Sequence, residues 1–150
     1  MTAAALVAGL AAPAHASQTP QFGCGVSGGG PVGYDYDLTA IAYYEPAAGL
    51  PGLRKWTKFR YRVDGIIIGD SNNISIRLSE GGTVRFAYDS PDNRHAGVWY
   101  EVIPSVPIFT FIEGSGDPHD HRSDDVVTVH AIFDRPRRSD PNCTATSARL

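Results

Sequence analysis

The stretch ISIRLSEGGTVRFAY, residues 74–88, holds two short alternating patterns with a glycine-rich turn between them. Before the turn, Ile74, Ile76 and Leu78 alternate with polar residues, and TVRFAY alternates in the same way after it. Alternation with a period of two is typical of a strand that buries one face. The stretch therefore predicts an antiparallel hairpin in a β-sheet protein.

The turn of this hairpin decides which residues face each other. A three-residue loop over 80–82 would pair Ser79 with Thr83 and set Leu78 opposite Val84, so that the apolar faces match. A two-residue Gly-Gly turn would misalign these faces. We therefore expect the three-residue loop, with the bulge that usually accompanies it.

Further strand patterns lie on both sides of the hairpin. They cover residues 34–44, 56–63, 98–103, 108–112 and 126–133, which makes about seven strands in all. No stretch has a convincing helical period. Short strands separated by Gly and Pro predict an all-β, single-domain antiparallel β-sandwich over residues 34–146. In the number and spacing of its strands, and in these alone, the chain resembles an immunoglobulin-like sandwich.

The first sixteen residues, MTAAALVAGLAAPAHA, have the features of a bacterial signal peptide. A short apolar run precedes small residues in the A-x-A arrangement that signal peptidase cleaves, here before Ser17. The run is too short to span a bilayer. Because the first Lys or Arg is Arg54, the positive start of such a peptide is missing, and we expect the true start codon upstream. We expect a secreted protein in which residues 17–33 form a Gly-rich extended arm.

Two cysteines, Cys24 and Cys143, are the only ones in the chain. In an oxidising compartment they would form one disulfide, and the pairing is unambiguous. Both lie outside the predicted strands, so we expect a terminal disulfide that joins the two ends of the domain. A loop of this length contributes just under about 5 kcal/mol in the chain-entropy account of disulfide stability.

Basic residues are candidates for a ligand-binding surface. Lys58, Arg60 and Arg62 lie on one side of a predicted strand, and the expected hairpin register sets Arg77 opposite Arg85. Like charges in that position cost up to about 1 kcal/mol unless an anion or a carboxylate offsets them. The five residues predict a docking surface for an anionic polymer of the cell wall. The alternative is a solvent-facing sheet with acidic partners nearby.

Aromatic residues give a second indication of a ligand. Trp99 alternates out of phase with its apolar neighbours Val98, Tyr100 and Val102. If one face of the sheet is exposed to solvent, either Trp99 or these neighbours must lie on that face. Together with Tyr43, Tyr44 and Trp56 it could form a flat platform for sugar rings. Packing of these rings in the core is the alternative, and it is the more frequent use of aromatic residues.

The segment GDPHDHRSDD, residues 116–125, is the candidate metal site. In an extended chain His119 and His121 point to the same side, and such a pair can hold Zn²⁺ or Cu²⁺ when Asp124, Asp125 or His95 adds a further ligand. Gly and Pro in the same segment favour a solvated hairpin loop instead. We therefore expect no cofactor, with Zn or Cu as the alternative.

The composition and the absence of motifs narrow the function. A formal net charge of −3 does not indicate a nucleic-acid partner. The chain has no G-x-S-x-G and no H-E-x-x-H motif. The leading hypothesis is a secreted, non-catalytic binding or surface-associated module whose partner is a cell-wall polymer or an extracellular protein. The competing hypothesis is a small secreted metal-binding protein or metal-dependent enzyme that uses His119 and His121.

Overall fold

The computed structural model of this chain describes residues 17–28, 33–66, 69–112, 124–135 and 138–149. In these residues every regular element is a strand. In chain order the strands are β1 (Ser17–Gln18), β2 (Phe22–Gly28), β3 (Tyr34–Pro46), β4 (Leu53–Ile66), β5 (Asn73–Glu80), β6 (Thr83–Asp89), β7 (Tyr100–Val102), β8 (Ile108–Phe111), β9 (Asp125–Ile132) and β10 (Asn142–Thr146). The predicted all-β class is confirmed. None of the described residues belongs to a helix with the length and hydropathy that crossing a membrane would require.

The strands form two antiparallel sheets. The long hairpin of β3 and β4 is the centre of the first sheet: β1 and β2 pair with β3, while β7 and β8 pair with β4. Pro104 and Pro107 lie between β7 and β8, and a proline has no N–H to give to a β-ladder. The second sheet has the order β10-β9-β5-β6.

One apolar core lies between the two sheets. Phe59 of β4 stacks on Phe86 of β6 with ring centroids 4.9 Å apart, and Tyr36 of β3 stacks on Phe133 at 5.3 Å. Trp56 is also part of this core and is only 1% exposed. The predicted sugar platform was therefore wrong in including Trp56, because the indole packs inward.

The disulfide between Cys24 and Cys143 is confirmed, and the two Cα atoms are 6.0 Å apart. Its predicted position outside the strands was wrong. Cys24 lies in β2 of the first sheet and Cys143 in β10 of the second. The segment expected as an extended arm includes β2, which pairs with β3 along its whole length. The bond therefore cross-links the two sheets rather than joining two loose ends.

The hairpin of β5 and β6 has a different register from the predicted one. Gly81 and Gly82 both have positive φ values, 54° and 82°, and form a two-residue turn that pairs Glu80 with Thr83. The pairs that follow are Ser79 with Val84 and, beyond a β-bulge, Leu78 with Phe86. The bulge corrects the mismatch that a Gly-Gly turn would otherwise cause. As a result Val84 is 55% exposed instead of facing Leu78.

Candidate binding surface on the first sheet

The outer face of the first sheet carries a row of basic side chains. Because side chains alternate along a strand, Phe59, Tyr61 and Val63 of β4 enter the core. The side chains of Lys58, Arg60 and Arg62 lie between these residues in sequence and are half-buried on the opposite face.

Each of these cations has an acidic partner. The register places Glu101 of β7 opposite Arg60, and its Oε1 atom lies 3.1 Å from Arg60 Nε and 3.3 Å from Lys58 Nζ. Arg62 Nε donates a hydrogen bond of 2.6 Å to Asp64 Oδ2. Three cations thus share two carboxylates, so most of the positive charge of the row is offset, as the alternative of acidic partners anticipated.

Trp99 lies against this row, immediately before β7. The guanidinium carbons of Arg60 and Arg62 are 4.9 Å and 5.6 Å from the centroid of the indole ring, and Lys58 Nζ is 4.7 Å from the ring centroid of Tyr43. Such cation–π contacts contribute about 0.5–1 kcal/mol each at exposed sites. We call this set the Trp99 face; it consists of Tyr43, Lys58, Arg60, Arg62, Trp99 and Glu101.

An open groove of about 510 Å³ continues from Arg62 towards β2. The side chains and glycines that give it its character are Gly23, Gly25, Asp37, Thr39, Arg62 and Asp64. Gly25 leaves room beside Asp37, since a Cβ atom there would stand 2.7 Å from Asp37 Oδ1. Asp37 and Asp64 are direct cross-strand neighbours, so the groove offers carboxylates, a hydroxyl and one guanidinium together.

The sequence analysis missed the residues of this groove. Asp37 and Thr39 occupy the outward positions of β3, between buried residues such as Leu38. That alternation was visible in YDYDLTAIAYY and could have identified them as surface residues. Their position next to Arg62 depends on the register between β3 and β4, which the pattern does not specify.

The other two predicted basic residues belong to the second sheet. Arg77 faces Ala87 rather than Arg85, so the expected like-charge pair was wrong. Arg77 Nη2 donates to both carboxylate oxygens of Asp89, at 2.8 Å and 3.0 Å. Arg85 Nη2 lies 2.7 Å from Glu80 Oε2. The six predicted ligand-binding residues therefore do not form one surface.

Of the four residues predicted as metal ligands within the segment 116–125, the structure describes only two, Asp124 and Asp125. His119 and His121 lie outside the described residues. Asp124 Oδ2 lies 3.3 Å from Arg149 Nη1, and Asp125 is fully buried. Across the ranges that the structure describes, no group of three or more His, Cys, Asp or Glu side chains could hold a metal ion. A site that includes the two histidines stays a prediction.

Asp125 instead belongs to a polar cluster between the sheets. Its Oδ2 atom accepts hydrogen bonds from Arg54 Nη1 at 2.8 Å and from Thr110 Oγ1 at 2.6 Å. The same hydroxyl accepts a bond of 2.9 Å from Trp56 Nε1. Burial raises the pKa of Asp125 to about 6, against the lowering effects of Thr110 and Arg54. We call these four residues the Arg54 cluster.

Fold and surface together define an all-β protein of two antiparallel sheets, cross-linked by a disulfide, with an aromatic face of carboxylate-paired cations beside an open groove. No protein-family model matches the chain, and no curated protein or solved structure is significantly similar to it.

Proposed function

We propose that this chain is an exported, non-catalytic module that binds a polysaccharide through the Trp99 face and the adjoining groove. The observation that carries the proposal is the position of Arg62. Its guanidinium contacts the indole of Trp99 on one side and lines the groove with Asp64 on the other. An aromatic ring and a set of polar groups thus adjoin on one exposed face.

The pairing of each cation on this surface with a carboxylate favours sugar hydroxyl groups over a polyanion as the ligand. Lys58, Arg60 and Arg62 already have carboxylate partners in Glu101 and Asp64, so an anionic chain would compete with these pairs. Sugar hydroxyls both donate and accept hydrogen bonds, and they match guanidinium donors and carboxylate acceptors that lie side by side. The apolar face of a pyranose ring can pack on an indole.

The disulfide supports export. A cross-link of this kind forms and persists in oxidising compartments and is rare in the cytosol. The segment before Ser17 is the predicted signal peptide, and residues 1–16 lie outside the described ranges. We propose on these grounds that the protein acts outside the cytoplasm.

The fold is proposed to be an immunoglobulin-like variety of the two-sheet arrangement. This finer class rests on the number and spacing of the strands and on the strands that cross between the sheets, such as β4 to β5 and β6 to β7.

Retention on insoluble polysaccharides tests the proposed function. The mature chain would be incubated with cellulose, chitin, peptidoglycan and an acidic polysaccharide, and the bound fraction measured as a function of concentration. We expect binding to at least one uncharged polymer. Trp99→Ala and Arg62→Gln should each weaken it about tenfold or more, as substitutions of residues that dominate an interface do.

A matched control is available on the second sheet. Arg77→Gln removes a surface guanidinium of similar exposure that has a carboxylate partner, as Arg62 does. It should leave retention unchanged. Failure of the native chain to bind any polymer of the panel, or equal losses in Arg62→Gln and Arg77→Gln, would refute the proposal.

A further inference from the structure

Among the residues that the structure describes, β8 forms part of one edge of the first sheet. Ile112 N donates to Gly52 O at 2.8 Å, which makes these two residues a hydrogen-bonded pair. Such pairs alternate along an antiparallel ladder, and Phe111 is the next residue. The N–H and C=O groups of Phe109 and Phe111 therefore point away from β4. Within the described chain, β8 pairs with no other strand.

This edge has the properties of a strand that could pair with another chain. Phe109 and Phe111 are 40% and 44% exposed, and the loop that precedes them exposes Ile103 and Val106 still more. Unpaired backbone groups beside exposed apolar side chains are the usual template for strand addition.

Glu80 closes this edge from the opposite sheet. It is the last residue of β5, it is buried, and its Oε1 atom accepts a hydrogen bond of 2.7 Å from Phe111 N. Its other oxygen accepts a bond of 2.8 Å from Arg85 Nε. A charged carboxylate thus occupies the position at which an incoming strand would offer a carbonyl group.

We propose that Glu80 is an edge cap that prevents β8 from pairing with β8 of a second copy of this chain. Two identical strands can pair antiparallel about a two-fold axis, and with Phe109 at the axis each Phe109 N–H would donate to the C=O of the other. In that register Phe111 faces Pro107, and the ladder would bring two Glu80 carboxylates to the interface. The cap opposes this both by occupying the Phe111 N–H and by its charge.

The size of the contact sets the strength of the association to expect. Two four-residue strands bury much less than the roughly 1,200 Å² at which stable interfaces begin. Loss of the cap should therefore produce a weak, concentration-dependent dimer rather than a permanent one.

Sedimentation equilibrium of Glu80→Ala and Glu80→Gln tests the cap. The alanine variant removes the acceptor, whereas the glutamine variant keeps an oxygen that can accept from Phe111 N. We expect the average mass of Glu80→Ala to rise towards twice the native value between micromolar and near-millimolar protein. Glu80→Gln should associate less. A folded Glu80→Ala whose mass equals the native value at every concentration overturns the proposal.

A second substitution identifies the surface involved. Phe109→Pro removes the N–H that would pair across the axis, and β4 does not use that N–H. Glu80→Ala/Phe109→Pro should return to the native mass. Continued association of the double variant would show that another surface is responsible and would overturn the proposal.

Hydrogen exchange of the native chain gives a test that does not depend on the variants folding. The capped amide of Phe111 should exchange more slowly than the amide of Phe109 by a factor of about ten or more, as expected for a hydrogen bond to a carboxylate. Equal exchange of the two amides would overturn the cap.

Discussion

The Arg54 cluster and the Trp99 face use the same chemistry in opposite environments. In the cluster, Arg54 contacts Asp125 at 2.8 Å, and both side chains are buried between the sheets. Arg62 of the Trp99 face contacts Asp64 of the adjoining groove at 2.6 Å, and more than 30% of each side chain is exposed. The two pairs have similar lengths, so distance alone does not distinguish their roles.

The difference shows that burial determines what an ion pair can do. A buried charge has lost its hydration, so each member of the pair depends on the other and the cluster contributes to the structure. An exposed pair contributes little to stability because water screens it. Its groups remain free to exchange a protein partner for a ligand. The predictions below compare the two regions, from the largest expected effect to the smallest.

Arg54→Met should give the largest loss of stability. It leaves Asp125 buried beside Thr110 without a cation, and breaking a buried pair in this way costs about 3–5 kcal/mol. Urea unfolding at pH 7.5 measures the change. Arg62→Met is the matched substitution on the Trp99 face and should cost less than about 1 kcal/mol. Equal losses in the two variants would contradict the distinction between the regions.

The pH dependence of stability should have opposite signs at a buried and an exposed aspartate. Burial raises the pKa of Asp125 to about 6, so the folded state holds this proton more tightly than the unfolded state does. The stabilisation is present below about pH 4, is lost as pH rises through about 6, and amounts to at most about 3 kcal/mol.

Asp89 provides the comparison for this measurement. Hydrogen bonds from Ser75 and from Arg77 lower the pKa of Asp89. The contribution of Asp89 to the stability of the fold is therefore present above the ordinary pKa of an aspartate and is lost as the pH falls. We would measure the free energy of unfolding of the native chain, of Asp125→Asn and of Asp89→Asn between pH 3 and 8. The difference between each variant and the native chain gives the contribution of that aspartate. If the two contributions changed with pH in the same direction, the predicted opposite signs would be wrong.

Thr110→Val should cost about 1–3 kcal/mol, because it leaves the buried Trp56 Nε1 without an acceptor and removes a donor to Asp125. Thr57→Val is the control. Thr57 Oγ1 donates to Tyr43 O at 3.2 Å and is only half-buried, so the loss should be smaller. Thermal unfolding of the two variants compares their losses of stability. A larger loss in Thr57→Val than in Thr110→Val would contradict the prediction.

Glu101→Gln should have the smallest effect on stability, within about 1 kcal/mol, because the pairs it breaks are partly exposed. It leaves Lys58 and Arg60 without their carboxylate. We therefore expect retention on an acidic polysaccharide to increase while retention on an uncharged one changes little. If retention on the acidic polymer does not rise, charge balance does not control the choice of ligand.

Several features of this protein were determined by the sequence alone. Period-two alternation, together with aromatic and β-branched content, located seven of the strands. Alternation also placed Lys58, Arg60 and Arg62 on one face, because the side-chain direction in a strand depends only on parity. The disulfide partners followed from the presence of only two cysteines. A further signal was overlooked: Phe22, Cys24 and Val26 alternate with small residues in β2, which is also a strand pattern.

The tertiary structure decided which strand positions pair and which charged side chains meet. The segment Glu80-Gly81-Gly82 was compatible with a three-residue loop and with a two-residue turn. The two-residue turn and the bulge in β6 give the register that separates Arg77 from Arg85. Arg54 and Asp125 are 71 residues apart, and nothing local to either residue predicts that they meet. Alternation is a property of a single strand, whereas the register, the packing of two sheets and the resulting burial depend on contacts between distant segments. Those contacts determine which charges support the fold and which remain available to a ligand.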